Sequence, residues 1–195
     1  TLGKYTLASD VQIIDTYETC TPIQVYPSRL AGANLTGSTI RFYALNAQGE
    51  ISHMILEDAT GDLHQYGIIT GVSEVSAGLV TNSAYTYDVG GVKQVFTSDT
   101  TIYNLKSDPC QVKMESDTTV ERLYNLTEVE VDNINGNTIV DAQNHSYTLS
   151  DNVAVYVYEN NEYQLTSLER VSGGDYRLTA WYDKPENEGG RIRVI

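Results

Sequence analysis

Cysteine is nearly absent from this chain, with Cys20 and Cys110 the only two. That excludes a disulfide-built scaffold and a cysteine zinc site, and leaves open one bridge or two free thiols. Positive charge is also scarce. Twelve basic residues stand against 26 acidic ones, for a net charge of −14. The basic residues are scattered, and only Arg191 and Arg193 come close together. Binding to nucleic acid needs a clustered basic footprint that neutralises phosphates, so that function is excluded. The same charge opposes docking on anionic lipid heads. Long apolar runs are missing too. Nothing approaches the ~20 residues of a membrane-spanning helix, and no membrane insertion by this chain is expected.

Tyrosine fills the place of the other aromatics, 15 Tyr against 2 Phe and 1 Trp. Its ring favours strands and its hydroxyl tolerates water, which suits thin sheets with half-buried aromatics. Period-two alternation dominates, as in Ile40-Arg41-Phe42-Tyr43-Ala44 and Thr127-Glu128-Val129-Glu130-Val131. Gly90-Gly91 and Asn135-Gly136 supply the positive φ angles of tight hairpins. Helical signals are short, at 165–171 and 118–125. The expected fold is all-β: tandem small β modules, partly open barrels or sandwich-like, with short helical turns.

The modules follow from internal repetition. Tyr5-Thr6-Leu7-Ala8-Ser9-Asp10-Val11-Gln12-Ile13 recurs as Tyr147-Thr148-Leu149-Ser150-Asp151-Asn152-Val153-Ala154-Val155, with a weaker copy at 94–102. Downstream, Pro22-Ile23-Gln24-Val25 matches Pro109-Cys110-Gln111-Val112, with Tyr163-Gln164-Leu165 as the third version. Gln24 to Gly49 and Gln111 to Gly136 are equally long spans, and both end in a turn. Three modules are expected, at 1–62 (N-terminally incomplete), 63–124 and 125–195. The hairpin at 128–140 could close the middle copy or open the last. The chain opens Thr1-Leu2-Gly3-Lys4 rather than with Met, and reads as a processed piece or fragment, so a missing signal peptide says nothing about export.

Chemistry is sparse. His53, His64 and His145 have no ligands at metal spacing, and no G-x-S-x-G elbow is present. Glu128 and Glu130 read as one solvent face rather than as a glycosidase pair. Glu57-Asp58-Ala59-Thr60-Gly61-Asp62 gathers hard oxygens round a glycine, which makes Asp58 and Asp62 weak calcium candidates. The segment does not fit the D-x-[DN]-x-[DN]-G loop, and an ordinary acidic turn is the expectation. Asp183, Glu186 and Glu188 form a second acidic loop. No enzyme activity, resident metal or cofactor is expected. Strand alternation puts Tyr176, Leu178, Ala180 and Tyr182 on one face and Arg177, Thr179, Trp181 and Asp183 on the other. Trp181 then points away from its own module's core. It fills an interface between modules, or stacks on a sugar with Tyr182 and Tyr176 as neighbouring candidates, or is buried in the core through a bulge; packing between modules is the expectation.

Ala180-Trp181-Tyr182-Asp183-Lys184, then Gly189-Gly190-Arg191-Ile192-Arg193-Val194-Ile195, with the Tyr-Thr-Leu-x-x-(Asp/Asn)-Val element, resembles repeat regions of Firmicutes cell-surface proteins that carry S-layer homology domains. The resemblance is clearest over 122–195. It implies an exported protein at the cell wall surface, with other envelope proteins or wall polysaccharide as partners, and it transfers no functional residues. The expected function is a non-enzymatic structural or interaction module of a bacterial envelope protein. The alternative is a carbohydrate-binding module with exposed aromatics, and the third reading is an accessory domain of a glycan-acting hydrolase.

Overall fold

The computed structural model describes residues 2–18, 20–77, 80–98, 108–114, 116 and 119–195, with backbone alone for Val75, Ala77, Val80 and Thr81. Strands hold 58% of the described residues and helices 6%, so the fold is all-β. The chain forms two compact units. The first is Thr1–Leu63 with Lys184–Gly190, and the second is His64–Asp183 with Arg191–Ile195.

The first unit holds β1 (Leu7–Thr16), β2 (Ile23–Gln24), a 3-10 turn at Pro27–Leu30, β3 (Ile40–Leu45) and β4 (Ile51–Glu57), in sheet order β2-β1-β4-β3. β1 runs parallel to β4, and the other pairs are antiparallel. Alternation buries Ile13, Ile51, Met54 and Leu56 on one face, with Leu7, Val11 and Leu35 packed against them. Asp15 lies fully buried, and its carboxylate accepts from the Ala59 N–H (3.0 Å), the Thr60 N–H (2.8 Å) and the Thr60 hydroxyl (2.6 Å). Four accepted bonds, counting Thr16 N–H, compensate the buried charge.

The second unit holds two sheets. β5 (Gln65–Ala77), β6 (Val80–Val89), β7 (Val92–Ser98), β8 (Pro109–Met114) and β9 (Val120–Asn125) line up as β7-β6-β5-β8-β9, all neighbours antiparallel. A parallel bridge, Thr97↔Thr119, links the β7 and β9 ends, so the sheet curls back on itself. Tyr87, Phe96, Val112 and Val120 fill its interior. Gly67 on β5 is obligatory here, since a Cβ would stand 2.0 Å from the Asp88 carbonyl oxygen.

The other sheet contains β10 (Thr127–Glu130), β11 (Asn133–Asn135), β12 (Thr138–Val140), β13 (Ser146–Glu159), β14 (Glu162–Thr166), α1 (Leu168–Val171), β15 (Thr179–Tyr182) and β16 (Ile192–Val194). Its order is β10-β15-β16-β13-β12-β11, with β14 on β13. β10 and β11 are one kinked run. Val131 N–H bonds Leu178 O (3.2 Å) and Asp132 N–H bonds Val140 O (2.9 Å), so the run closes the sheet at both ends. Ile139, Leu149, Val155, Ala180, Ile192 and Ile195 form the core. In both sheets of this unit the strands connect as 1-2-3-5-4-1 with strands three and five parallel, the connectivity of the five-stranded OB-type Greek-key barrel.

The first unit is the same repeat without its first two strands. β1 and β4 pair Leu7↔Ile51 and Gln12↔His53; β13 and β16 pair Leu149↔Ile192 and Ala154↔Val194. Each pair therefore advances five residues on one strand and two on the other, through the same irregularity. β3 and β15 carry matching register shifts, at Ala44/Leu45 and Trp181/Tyr182.

Three sequence expectations are corrected. The segment 118–125 is strand β9 from Val120 on, because pairing with β8 buries Val120. Pro109–Val112 lies in strand four, whereas 22–25 and 163–165 follow strand three, so those segments do not correspond. Gly49 turns between β3 and β4 but Gly136 between β11 and β12, so the equal spacing marks different turns. The weak copy does occupy strand three, as β7, up to Ser98; its remainder lies outside the described residues. The hairpin at 128–140 pairs with β13 and β15 and so belongs to the last sheet.

Candidate functional site

Four aromatic side chains of the second unit share one cleft. A cleft of about 240 Å³ is lined by Ile68, Pro109, Tyr156, Tyr158, Tyr163 and Trp181, with Arg177 and Thr179 beside them. β15 presents Trp181 and Thr179 through alternation, as the sequence indicates, and Arg177 lies just ahead of the strand. Ile68, Tyr156 and Val194 form a buried cluster, and Trp181, Tyr66 and Tyr163 pack against it. Ile68 and Tyr66 belong to the β5–β9 sheet and the others to the last sheet, so half-buried Trp181 sits in the seam between two sheets. Tyr158 is exposed, and its ring lies 4.8 Å from that of Tyr163.

Tyr182 and Tyr176 are not part of this cleft. Tyr182 stacks on Tyr147, 5.7 Å and 22° apart, and both candidates pack on the core beneath β15. Alternation, which separates them from Trp181, is the reason. Tyr156, Tyr158 and Tyr163 are site residues that the sequence reading missed. The signal was Tyr156-Val157-Tyr158 at same-face spacing, but which strand it faces is a long-range fact.

Polar side chains round the seam are committed to structure. The Tyr156 hydroxyl donates to Asp88 Oδ1 (2.9 Å) and accepts from Gly90 N–H (2.9 Å). Burial, and then the carboxylate beside it, push its ionisation well above the ordinary tyrosine range, so it stays a neutral donor. Asp183 accepts from Tyr66 Oη (3.0 Å), Arg191 N–H (2.9 Å) and the Arg193 guanidinium, with Nη2 at 2.8 Å. Arg193 lies 4.7 Å from the Tyr66 ring and also bonds Ser150 Oγ. Both oxygens of this carboxylate are therefore committed to hydrogen bonds within the structure.

In the first unit Asp62 binds Arg29 with both oxygens (2.9 and 3.1 Å), and the Asp58 carbonyl accepts from Lys184 Nζ (2.6 Å). Two cations therefore occupy the acidic turn that was weighed for calcium. Among the described residues, no group of three His, Cys, Asp or Glu is arranged to hold a metal. Both cysteines are unpaired. Cys20 is exposed, whereas burial pushes the Cys110 thiol up to about 12. Among the described residues, no helix is long and apolar enough to cross a membrane.

No family model, no curated protein and no solved structure matches this chain.

Proposed function

We propose that this chain is a non-enzymatic structural and interaction module of an exported bacterial envelope protein, spacing and displaying its surfaces at the cell wall. One observation carries the reading: the single Trp, a residue suited to gripping sugars, is packed in the seam between two barrels against Ile68, Tyr156 and Val194. The surrounding network of Asp88, Tyr156, Asp183 and Arg193 supports the same role, because it joins strands rather than facing solvent. The location and partners rest on the sequence resemblance.

Trp181→Ala tests the reading. The indole is half-buried, so the loss of stability should fall somewhat below the about 3–5 kcal/mol of a fully buried Trp. Melting should drop clearly, and a glycan array should show no binding by either protein. Unchanged melting with abolished glycan binding overturns the proposal in favour of the second reading. That reading, a carbohydrate-binding module, draws on the open side of the cleft, where exposed Tyr158 and half-buried Tyr163 stand beside Arg177.

A further inference from the structure

The cleft at the seam has an open side. Its volume of about 240 Å³ falls below the range of about 300–1,000 Å³ for sites that bury a drug-sized ligand. It is therefore better sized for part of a longer chain than for a whole small molecule. Ring faces from Pro109, Tyr158, Tyr163 and Trp181 line it. Tyr158 is 59% exposed, and its ring stands 4.8 Å from that of Tyr163 at 49°, so the two form a tilted ridge. The direct pair Tyr158↔Tyr163 on β13 and β14 holds this ridge, and the neighbouring pair Tyr156↔Leu165 anchors it. The Tyr156 hydroxyl bonds Asp88, and Leu165 packs so close to Gly91 that a Cβ there would stand 3.2 Å from it. A ridge fixed before binding lowers the ordering cost of recognition.

The hydrogen-bonding character of the lining selects among ligands. The hydroxyls of Tyr158, Tyr163 and Thr179, the Arg177 guanidinium and the Trp181 indole are all capable of donating. Among the described residues, the lining holds no carboxylate, carboxamide or imidazole side chain to accept. The Tyr156 hydroxyl is committed to Asp88 and Gly90. A sugar or an ordinary peptide brings donors as well as acceptors, and a donor buried without a partner costs free energy. A proline-rich segment brings carbonyls and no N–H at its prolines. Its extended left-handed helix has no internal hydrogen bonds, exists before binding and docks in aromatic-lined grooves. Arg177 adds a direction. It pairs Glu130 at 2.9 Å with the side chains 81% and 67% exposed, so the pair is weak and exchanges readily for a carboxylate of the ligand.

We propose that the open side of this cleft binds a proline-rich segment in the polyproline II conformation, with prolines on Tyr158 and Tyr163 and an acidic residue of the segment at Arg177. The proposal rests on the interaction role given to this chain and names the partner's chemistry. Melting of Trp181→Ala tests the seam, whereas the titration below tests the open side, so each fails separately.

The single Trp is the reporter, since Trp181 lines the cleft and proline peptides lack an indole. Fluorescence of the full chain is titrated with decaproline, decaproline carrying a terminal aspartate, a Gly-Ser peptide of equal length, and oligosaccharides of chitin and cellulose. Both proline peptides should give a saturable change, with the aspartate form about two- to fivefold tighter. Tyr158→Ala should weaken both about tenfold or more, with melting as the check that the fold is kept. Tyr158→Phe keeps the ring and should bind like the parent. Arg177→Ala should remove the preference for aspartate and leave decaproline affinity unchanged. The Gly-Ser peptide and the sugars should change nothing. Absence of a saturable change with millimolar decaproline overturns the proposal. So does full affinity in Tyr158→Ala, an equal response to the Gly-Ser peptide, or an aspartate form no tighter than decaproline. Saturable binding of either oligosaccharide also overturns it, by giving the cleft to a glycan.

Discussion

The first and last repeats share strand order, register and two backbone irregularities, yet they hold themselves together differently. In both, the residue after strand four caps the turn into strand five. Asn46 Oδ1 accepts from Glu50 N–H at 2.9 Å, and Asp183 Oδ1 accepts from Arg191 N–H at 2.9 Å. The first repeat closes this turn in three residues and uses a neutral amide. The last opens it into seven and uses a carboxylate, which also pairs buried Arg193. Conversely, the first repeat buries Asp15 on β1 where the last has Val157. The shared skeleton is therefore specified by apolar alternation and turn capping. The buried charges are local solutions added to it, each tied to one extended loop.

The sharpest way to break the comparison is to remove the two equivalent caps. Asp183→Ala strands the Arg193 guanidinium without its partner and should cost about 3–5 kcal/mol, read by denaturant unfolding of the second unit. Asn46→Ala loses turn bonds at a surface and should cost about 1 kcal/mol. Similar losses at both sites would mean that the ion pair adds nothing to the cap.

A smaller difference is expected from truncating equivalent core leucines. Leu149→Ala removes a fully covered side chain and should cost roughly 2–5 kcal/mol. Leu7→Ala, at the half-open position, should cost about 1–2 kcal/mol by the reduced burial. Equal costs would contradict the equivalence drawn from the register.

The smallest effect concerns the loop at 141–145, for which the first repeat substitutes the tight Leu2–Tyr5 bridge. Burial pushes the Asp141 carboxyl up. Hydrogen bonds from the His145 N–H, the His145 ring, Gln143 N–H and the Tyr147 hydroxyl outweigh it and hold the group below its ordinary value. A depressed carboxyl stabilises the folded chain fully above the unfolded value of about 3.9, and that stability fades as pH falls through the lower folded value. Asp141→Asn should flatten stability below about pH 4 and leave the first unit's acid response unchanged. An identical acid limb in both proteins would remove Asp141 from the account.

Much of this comparison was legible because the period of a strand is two. The Tyr-Thr-Leu element located strand three in the first and last repeats, and alternation placed Trp181 opposite Ala180 and Tyr182. Asn135-Gly136 located the hairpin, since only a few residue pairs take those φ angles. Pairing partners were not legible. Pro109–Val112 looks like Pro22–Val25 because any half-buried strand carries that pattern, and nothing local says which neighbour it meets. The cleft tyrosines were missed for the same reason, as Tyr156 and Trp181 come together from strands separated by β14, α1 and a loop. Asp183 read as an acidic surface loop because the guanidinium that buries it lies across a seven-residue excursion.

That excursion, Lys184–Gly190, belongs to the first unit although the whole of 64–183 separates the two in the chain. Asn187 O accepts from Asn34 N–H at 2.7 Å, and Gly189, at φ +88°, lies where a Cβ would stand 2.0 Å from Ala59 O. During synthesis at about 5–20 residues per second, Leu63 precedes Lys184 by on the order of ten seconds. The first unit thus waits for a strap made after 64–183 before its native contacts are complete, and a nascent chain arrested before residue 184 should leave β1–β4 more open to proteases than one that has passed residue 190.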